Sequence, residues 1–215
     1  MTRRLLYALL LSLLLPIGVQ AERPEDWFAV REIPDSIFAR IKGKSYREGC
    51  RVPLDQLRYV TIAYCGPDGN AHRGELICNK YIADDLLDIF RKLYKAGYPI
   101  ESVRLIDEFD ADDIKSMQAN NTSCFNYREI AGSRKLSNHA LGMAIDINPL
   151  YNPYVITRGG KTTISPPEGA PYADREGDFD YKIDEDDLCY KLFKAHGFTW
   201  GGSWRQLKDY QHFEK

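Results

Sequence analysis

The chain has 215 residues, 44% of them hydrophobic, which is enough to fill one good core. Its formal net charge is −2, so there is no basic field to draw in nucleic acid or an anionic membrane surface, and neither is expected as a partner. Nothing in the composition speaks to oligomeric state.

The first residues read as an export signal. Arg3-Arg4 precede an apolar run from Leu5 to Leu15, followed by Pro16 and the cleavage-type end Val19-Gln20-Ala21. Residues 1–21 are therefore expected to be a signal peptide, with the mature protein starting near Glu22. The run is short for the competing reading, a retained membrane anchor. No cysteine follows it, which argues against a lipid anchor. The expected location is the periplasm, cell envelope or extracellular space, with no stable membrane insertion after cleavage.

Residues 22–56 read as an extension packed on the domain, within which Asp35 is placed to cap a short helix bearing Ile37, Phe38 and Ile41, ended by Gly43. Leu57 to Tyr64 reads as a strand, the Gly66-Pro-Asp-Gly-Asn70 stretch as a turn, and Gly74 to Asn79 as the hairpin partner. Ile82 to Ala96 has Leu86, Leu87, Phe90, Leu93 and Tyr94 on one stripe before Gly97, and so predicts an amphipathic helix. A short strand is expected over Val103 to Ile106 and a short acidic helix over Asp112 to Met117. Asn152 to Tyr181 is a long polar excursion with a possible hairpin turn at Gly159-Gly160; such excursions are usually functional or mobile. A second helix is predicted over Asp184 to His196 with Asp184 as cap, then a short strand over His212 to Glu214. There is no internal repeat and no convincing domain boundary, so the simplest account is one α+β domain over residues 57–215.

Five cysteines (Cys50, Cys65, Cys78, Cys124, Cys189) leave at least one thiol unpaired within the chain, and none forms a C-x-x-C pair, which argues against a zinc ribbon. Their pairing is not legible. Of four histidines, His72 reads as a turn residue and His196 as a helix-end cap. The other two lie in richer settings. In Ser137-Asn-His139-Ala-Leu-Gly-Met-Ala-Ile-Asp146-Ile-Asn148, the run from Met143 alternates: Ile145 and Ile147 point one way, while Ala144, Asp146 and Asn148 point the other. A carboxylate on that face needs a partner, because a buried charge left alone is costly. Asp209-Tyr-Gln-His212-Phe-Glu214 near the end of the chain supplies a second histidine and a carboxylate three residues before it. His139, Asp146 and His212 make a three-ligand set that leaves one zinc position open. Asp209 would then act on the metal's water as general base.

Ser137-x-His139-x-x-Gly142-x-Ala144-x-Asp146, with Asp209-x-x-His212 followed by Phe-Glu, resembles the signature of peptidase family M15. That family includes D-alanyl-D-alanine carboxypeptidases and dipeptidases and L-alanyl-D-glutamate endopeptidases. The Asp-x-x-His form looks more like the carboxypeptidase-like and endopeptidase branch. The resemblance implies one Zn2+ per chain on His139, Asp146 and His212, with Asp209 as base. It implies a peptidoglycan stem peptide as substrate and a compact fold of the hedgehog/D,D-peptidase type, with a small mostly antiparallel sheet and flanking helices. It also implies an arginine that steadies the tetrahedral intermediate, best matched by Arg128 in Phe125-Asn-Tyr-Arg128; pairing with Glu129 or Asp146 is the bland alternative. Ser137 and Glu214 are candidates to orient the imidazoles. Trp200 and Trp204, flanking two glycines, could wall a groove or pack in the core. Two rivals remain: a zinc-bearing binding module without hydrolysis, and a cysteine peptidase built on Cys124.

Overall fold

The computed structural model describes residues 22–130 and 133–215; the expected signal segment, 1–21, lies outside them. The fold is built on one long hairpin. Strand β1 (Ala29–Arg31) and helix α1 (Asp35–Ile41) lead to β2 (Leu57–Cys65), which pairs antiparallel with β3 (Ala71–Asn79) along its whole length. β3 begins three residues before the predicted Gly74, because the turn at Gly66–Asn70 is tight enough for pairing to start at once.

The hairpin is covered on both faces. Val60, Ile62, Tyr64, Leu76 and Cys78 point into one core, while Leu57, Tyr59 and Ile77 point into another with Ile37, Ile41 and Phe125. The residues read as an extension are thus integral to the sheet and the second core: β1 pairs with β2, and Arg40 of α1 forks onto Glu75 of β3 at 2.9 and 2.8 Å. α1 begins at Asp35, so Asp35 opens the helix rather than capping it, and Pro34 holds the cap position.

Helix α2 (Lys80–Lys95) lays Ile82, Leu86, Ile89, Phe90 and Leu93 on the first core. Each such side chain contributes about 1.5–3 kcal/mol by burial. The carboxamide oxygen of Asn79 caps the helix by accepting from Tyr81 N at 3.2 Å. β4 (Ser102–Val103) is shorter than predicted and runs parallel to β5 (Asn121–Thr122); Ile106 starts a 3-10 turn instead. Between them lies α3 (Asp113–Gln118), capped by Asp112.

β6 (Ala144–Asp146) follows a 3-10 turn over Asn138–Leu141. The polar excursion folds as the hairpin of β7 (Tyr154–Arg158) and β8 (Lys161–Ser165) across Gly159-Gly160. Helix α4 (Leu188–Ala195) starts four residues after the predicted cap: Asp187, not Asp184, accepts the hydrogen bond of its first turn. β9 (Thr199–Trp200), β10 (Lys208–Asp209) and β11 (His212–Glu214) complete the chain. β11 is central in the order β6-β11-β9, and β10 joins β7. The result is a compact α+β fold with mostly antiparallel strands and flanking helices. All five cysteines are free thiols, and no helix among the described residues is long and apolar enough to cross a membrane.

Candidate metal centre

The register of β6 against β11 assembles the site. His212 lies opposite Asp146, Phe213 opposite Ile145, and Glu214 opposite Ala144. Directly opposed residues share a face, so His212 and Asp146 meet on one side while Phe213 and Ile145, both fully buried, meet on the other. The alternation expected over 144–147 holds. Asn148 departs from it: its φ of +44° turns it out of the strand, and its side chain binds Glu101 N and Pro99 O.

His139 reaches the same point from the 3-10 turn. The Ser137 hydroxyl accepts from His139 N at 3.2 Å, and Gly142 closes the turn at φ +68°. A Cβ on Gly142 would stand 2.7 Å from Asn79 N, so the turn can press against the end of β3 only with glycine there. Asn79 N donates to Gly142 O, and Asn79 Nδ2 to Leu141 O. One residue thus caps α2 and fastens the ligand-bearing turn to the central hairpin.

The three ligand atoms form a small triangle. His139 Nε2 and His212 Nδ1 are 3.2 Å apart, His139 Nε2 and Asp146 Oδ1 3.3 Å, and His212 Nδ1 and Asp146 Oδ1 3.0 Å. Metal–nitrogen bonds of about 2.0–2.1 Å at tetrahedral angles place ligands about 3.3 Å apart, which this triangle matches. No other group of three such side chains among the described residues brings its ligand atoms together in this way.

The outer nitrogens are also held. His139 Nδ1 donates to the carbonyl of Cys124 at 2.6 Å, which leaves Nε2 unprotonated and free to accept a metal. His212 Nε2 donates to Glu214 Oε2 at 3.0 Å, and Asn138 Nδ2 steadies that carboxylate at 2.7 Å. Glu214 therefore orients an imidazole, whereas Ser137 holds the backbone of the turn. The carbonyl of Cys124 had no signal in the sequence. It is set there because Ser123 bridges Asp146 through backbone hydrogen bonds, which delivers the next residue's oxygen to His139. Glu214→Ala is expected to weaken metal binding by about 10–100-fold in a competition titration against a chromophoric chelator; unchanged affinity would rule out the orienting role.

Charge is arranged to match. Burial opposes ionisation of Asp146, but the charge and hydrogen bonds of His139 and His212 hold its carboxyl well below the usual range. Burial likewise opposes protonation of His212, yet its hydrogen bonds to Asp146 and Glu214, with their charges, push its pKa up to about 10. The site without metal thus favours a proton on His212, with which a metal must compete. Apparent metal affinity should rise about tenfold per pH unit between about pH 6.5 and 8.5, read by titration at several pH values; a flat profile would contradict the bound proton.

Asp209 ends β10, followed by the turn at Tyr210-Gln211; it is within charge reach of His212, Asp146 and His139 and lies outside the ligand group. Burial raises its pKa to about 6; His212 lowers it, Asp146 raises it, and Gln211 Nε2 donates to Oδ1 at 3.1 Å. Gly201 lies against Asp209, and a Cβ there would be 2.6 Å from the Asp209 carbonyl oxygen. That close approach of backbone needs glycine at position 201. The two tryptophans part company. Trp200 is 6% exposed and its indole N–H donates to Tyr210 O, so it packs in the core. The ring of Trp204 stands 5.3 Å from that of His212, at the site itself.

Arg128 pairs through Nε with Asp113, not with Glu129 or Asp146. Its backbone runs beside the ligand turn: Ser137 N donates to Arg128 O, and Asn126 N to His139 O. His72 pairs with Asp68, and His196 lies between Asp85 and Asp88, both away from the triangle. The Cys124 thiol is buried, faces Gly142 O, and is pushed by burial well above the usual thiol range. It is therefore no thiolate nucleophile.

An α+β fold that buries two imidazoles and a carboxylate around one point, with a further carboxylate in the adjoining strand, presents a cluster whose geometry is consistent with holding one metal ion. Residues 131–215 match the peptidase M15 family model described as D-alanyl-D-alanine carboxypeptidase, so this segment is homologous to that family. The match contains the three ligand positions and Asp209, covers less than half of the chain, and begins just after Arg128. No curated protein and no solved structure matches the chain. The homologous segment and the triangle together make this the centre of a metal-dependent peptidase.

Proposed function

We propose that the protein is an exported zinc metallopeptidase that cleaves the stem peptides of peptidoglycan. The observation that carries this reading is the His139–Asp146–His212 triangle with Asp209 at its edge, inside the segment homologous to carboxypeptidases. Two imidazoles and one carboxylate suit zinc, one per chain, with a position left open. Bound there, zinc would acidify water to a pKa of about 7 and polarise the scissile carbonyl.

The chain's own groups do the rest. Asp209, with a pKa near 6, is ionised at neutral pH and still basic enough to accept a proton from the attacking water. It then returns that proton to the departing amine. Arg128, braced by Asp113, is the cation assigned to the developing oxyanion. Trp204 walls the groove beside His212. The β7–β8 hairpin joins the strand of Asp209, since Tyr154 pairs with Asp209 and Val155 with Lys208. Its shape is what we assign to choosing the bond. Residues 57–215 carry the catalytic groups, 22–56 complete the sheet and second core against which they are held, and 1–21 act as the export signal.

Digestion of defined muropeptides followed by mass measurement tests the reading. The description of the matched family favours loss of a terminal D-alanine. A cut after L-alanine gives a different mass and would make the enzyme an endopeptidase. Intact stem peptides under metal-loaded conditions would remove the substrate class.

A further inference from the structure

Beside the ligand-bearing turn lies an open cavity of about 510 Å³ whose lining includes Arg47, Arg51, Arg128, Arg134, Tyr127 and Glu129. Four arginines and one carboxylate residue line it, in a chain whose net charge is −2. Arg128 is paired with Asp113, but among the described residues no carboxylate lies within ion-pair reach of Arg47, Arg51 or Arg134. Like charges gathered around one cavity repel, and an anion between them relieves that repulsion.

Both walls are braced. Ser45, fully buried, donates from its amide and its hydroxyl to Asp107, each at 2.9 Å. The Tyr46 hydroxyl donates to Val52 O at 2.9 Å, which closes the loop that carries Arg47 and Arg51. Tyr127 N donates to Ser45 O at 3.0 Å and so joins that loop to the opposite wall. There, Glu129 bridges Leu136 and Ser137 N donates to Arg128 O, and the same backbone continues two residues later into His139. The backbone that carries Arg47, Arg51 and Arg128 is thus braced, and that of Arg128 is bonded to the ligand-bearing turn.

We infer that this cavity is an anion subsite that takes the free carboxylates of a stem peptide while its scissile bond lies at the metal centre. The inference rests on the peptidase reading for its substrate. Planar guanidinium groups hold carboxylates through paired, charge-assisted hydrogen bonds. Uncharged or amidated peptides would lose those contacts and leave the arginines repelling one another.

The probe is an acidic stem peptide containing the L-alanyl-D-glutamyl unit, compared with a twin whose carboxylates are amidated. Calorimetric titration of the metal-free protein should show the acidic peptide bound about 10–100-fold more tightly, with the gap closing as salt is added. Replacing the exposed trio together (Arg47→Gln, Arg51→Gln, Arg134→Gln) should abolish that preference, while the urea midpoint and the metal affinity of the variant stay at their wild-type values. Equal binding of the two peptides by the wild-type protein overturns the subsite without reference to any variant. A preference that survives all three replacements overturns it as well, as does arginine-dependent binding confined to a phosphodiester polymer. A wild-type protein that prefers the acidic peptide through these arginines but cleaves neither peptide would support the subsite and remove the peptidase reading.

Discussion

Asp209→Ala is expected to cut kcat by about 10²–10⁴-fold, the range for loss of a positioned general base, while metal binding stays nearly unchanged. The separation follows from geometry. The ligand triangle is closed by His139, Asp146 and His212 alone, and Asp209 lies outside it. The acid limb of kcat/KM should show the same residue. Asp209 accepts a proton only when ionised, so the rate falls as pH drops through its pKa. Burial sets that value at about 6, and a bound cation draws it lower. The limb therefore lies at or below about pH 6 in the wild type and is absent from the variant. Full activity in Asp209→Ala would sink the assignment. A wild-type protein that holds metal but hydrolyses no stem peptide would instead favour the binding module.

The parts of this centre that could be read from sequence are those written in side-chain type and local period. Alternation over Ala144–Ile147 fixed which face Asp146 occupies, and the three-residue step from Asp209 to His212 placed both near one turn. The Gly201-Gly202 pair marked a close approach of backbone, whereas Gly142 stood out only as a position of the family motif. What they approach, Asn79 and Asp209, depends on pairings tens of residues apart and left no local trace. The carbonyl of Cys124 is the plainest omission, since any residue at that position would offer the same oxygen. The cap of α4 was misplaced for a related reason. Asp184 and Asp187 both precede the helix, and only packing decides which one the first turn uses: the Tyr98 hydroxyl donates to Asp187 at 3.2 Å and holds it in place. The parallel pairing of β4 with β5 and the docking of β10 on β7 are likewise long-range choices that short polar strands do not announce.

Asp146→Ala should act in the opposite sense to Asp209→Ala, because it removes the group that holds the centre together before any metal arrives. In the metal-free protein the buried His212 lies between Asp146 and Glu214, at 3.0 Å from each, and their charges and hydrogen bonds favour its protonated, cationic form. Deleting Asp146 leaves that cation with one partner and costs about 3–5 kcal/mol if the charge stays, less if His212 gives up its proton. Urea unfolding in the presence of a chelator measures the loss. The sign with pH is definite. The folded pKa of His212 is raised, so its stabilising contribution is present in full below the unfolded value near 6.5 and is lost as pH rises towards about 10. The gap between wild type and Asp146→Ala should therefore narrow as the buffer is made alkaline, and metal should fail to stabilise the variant at any pH. A variant that unfolds at the wild-type urea midpoint, or still gains stability from metal, would show that Asp146 is neither the counter-charge of His212 nor a ligand.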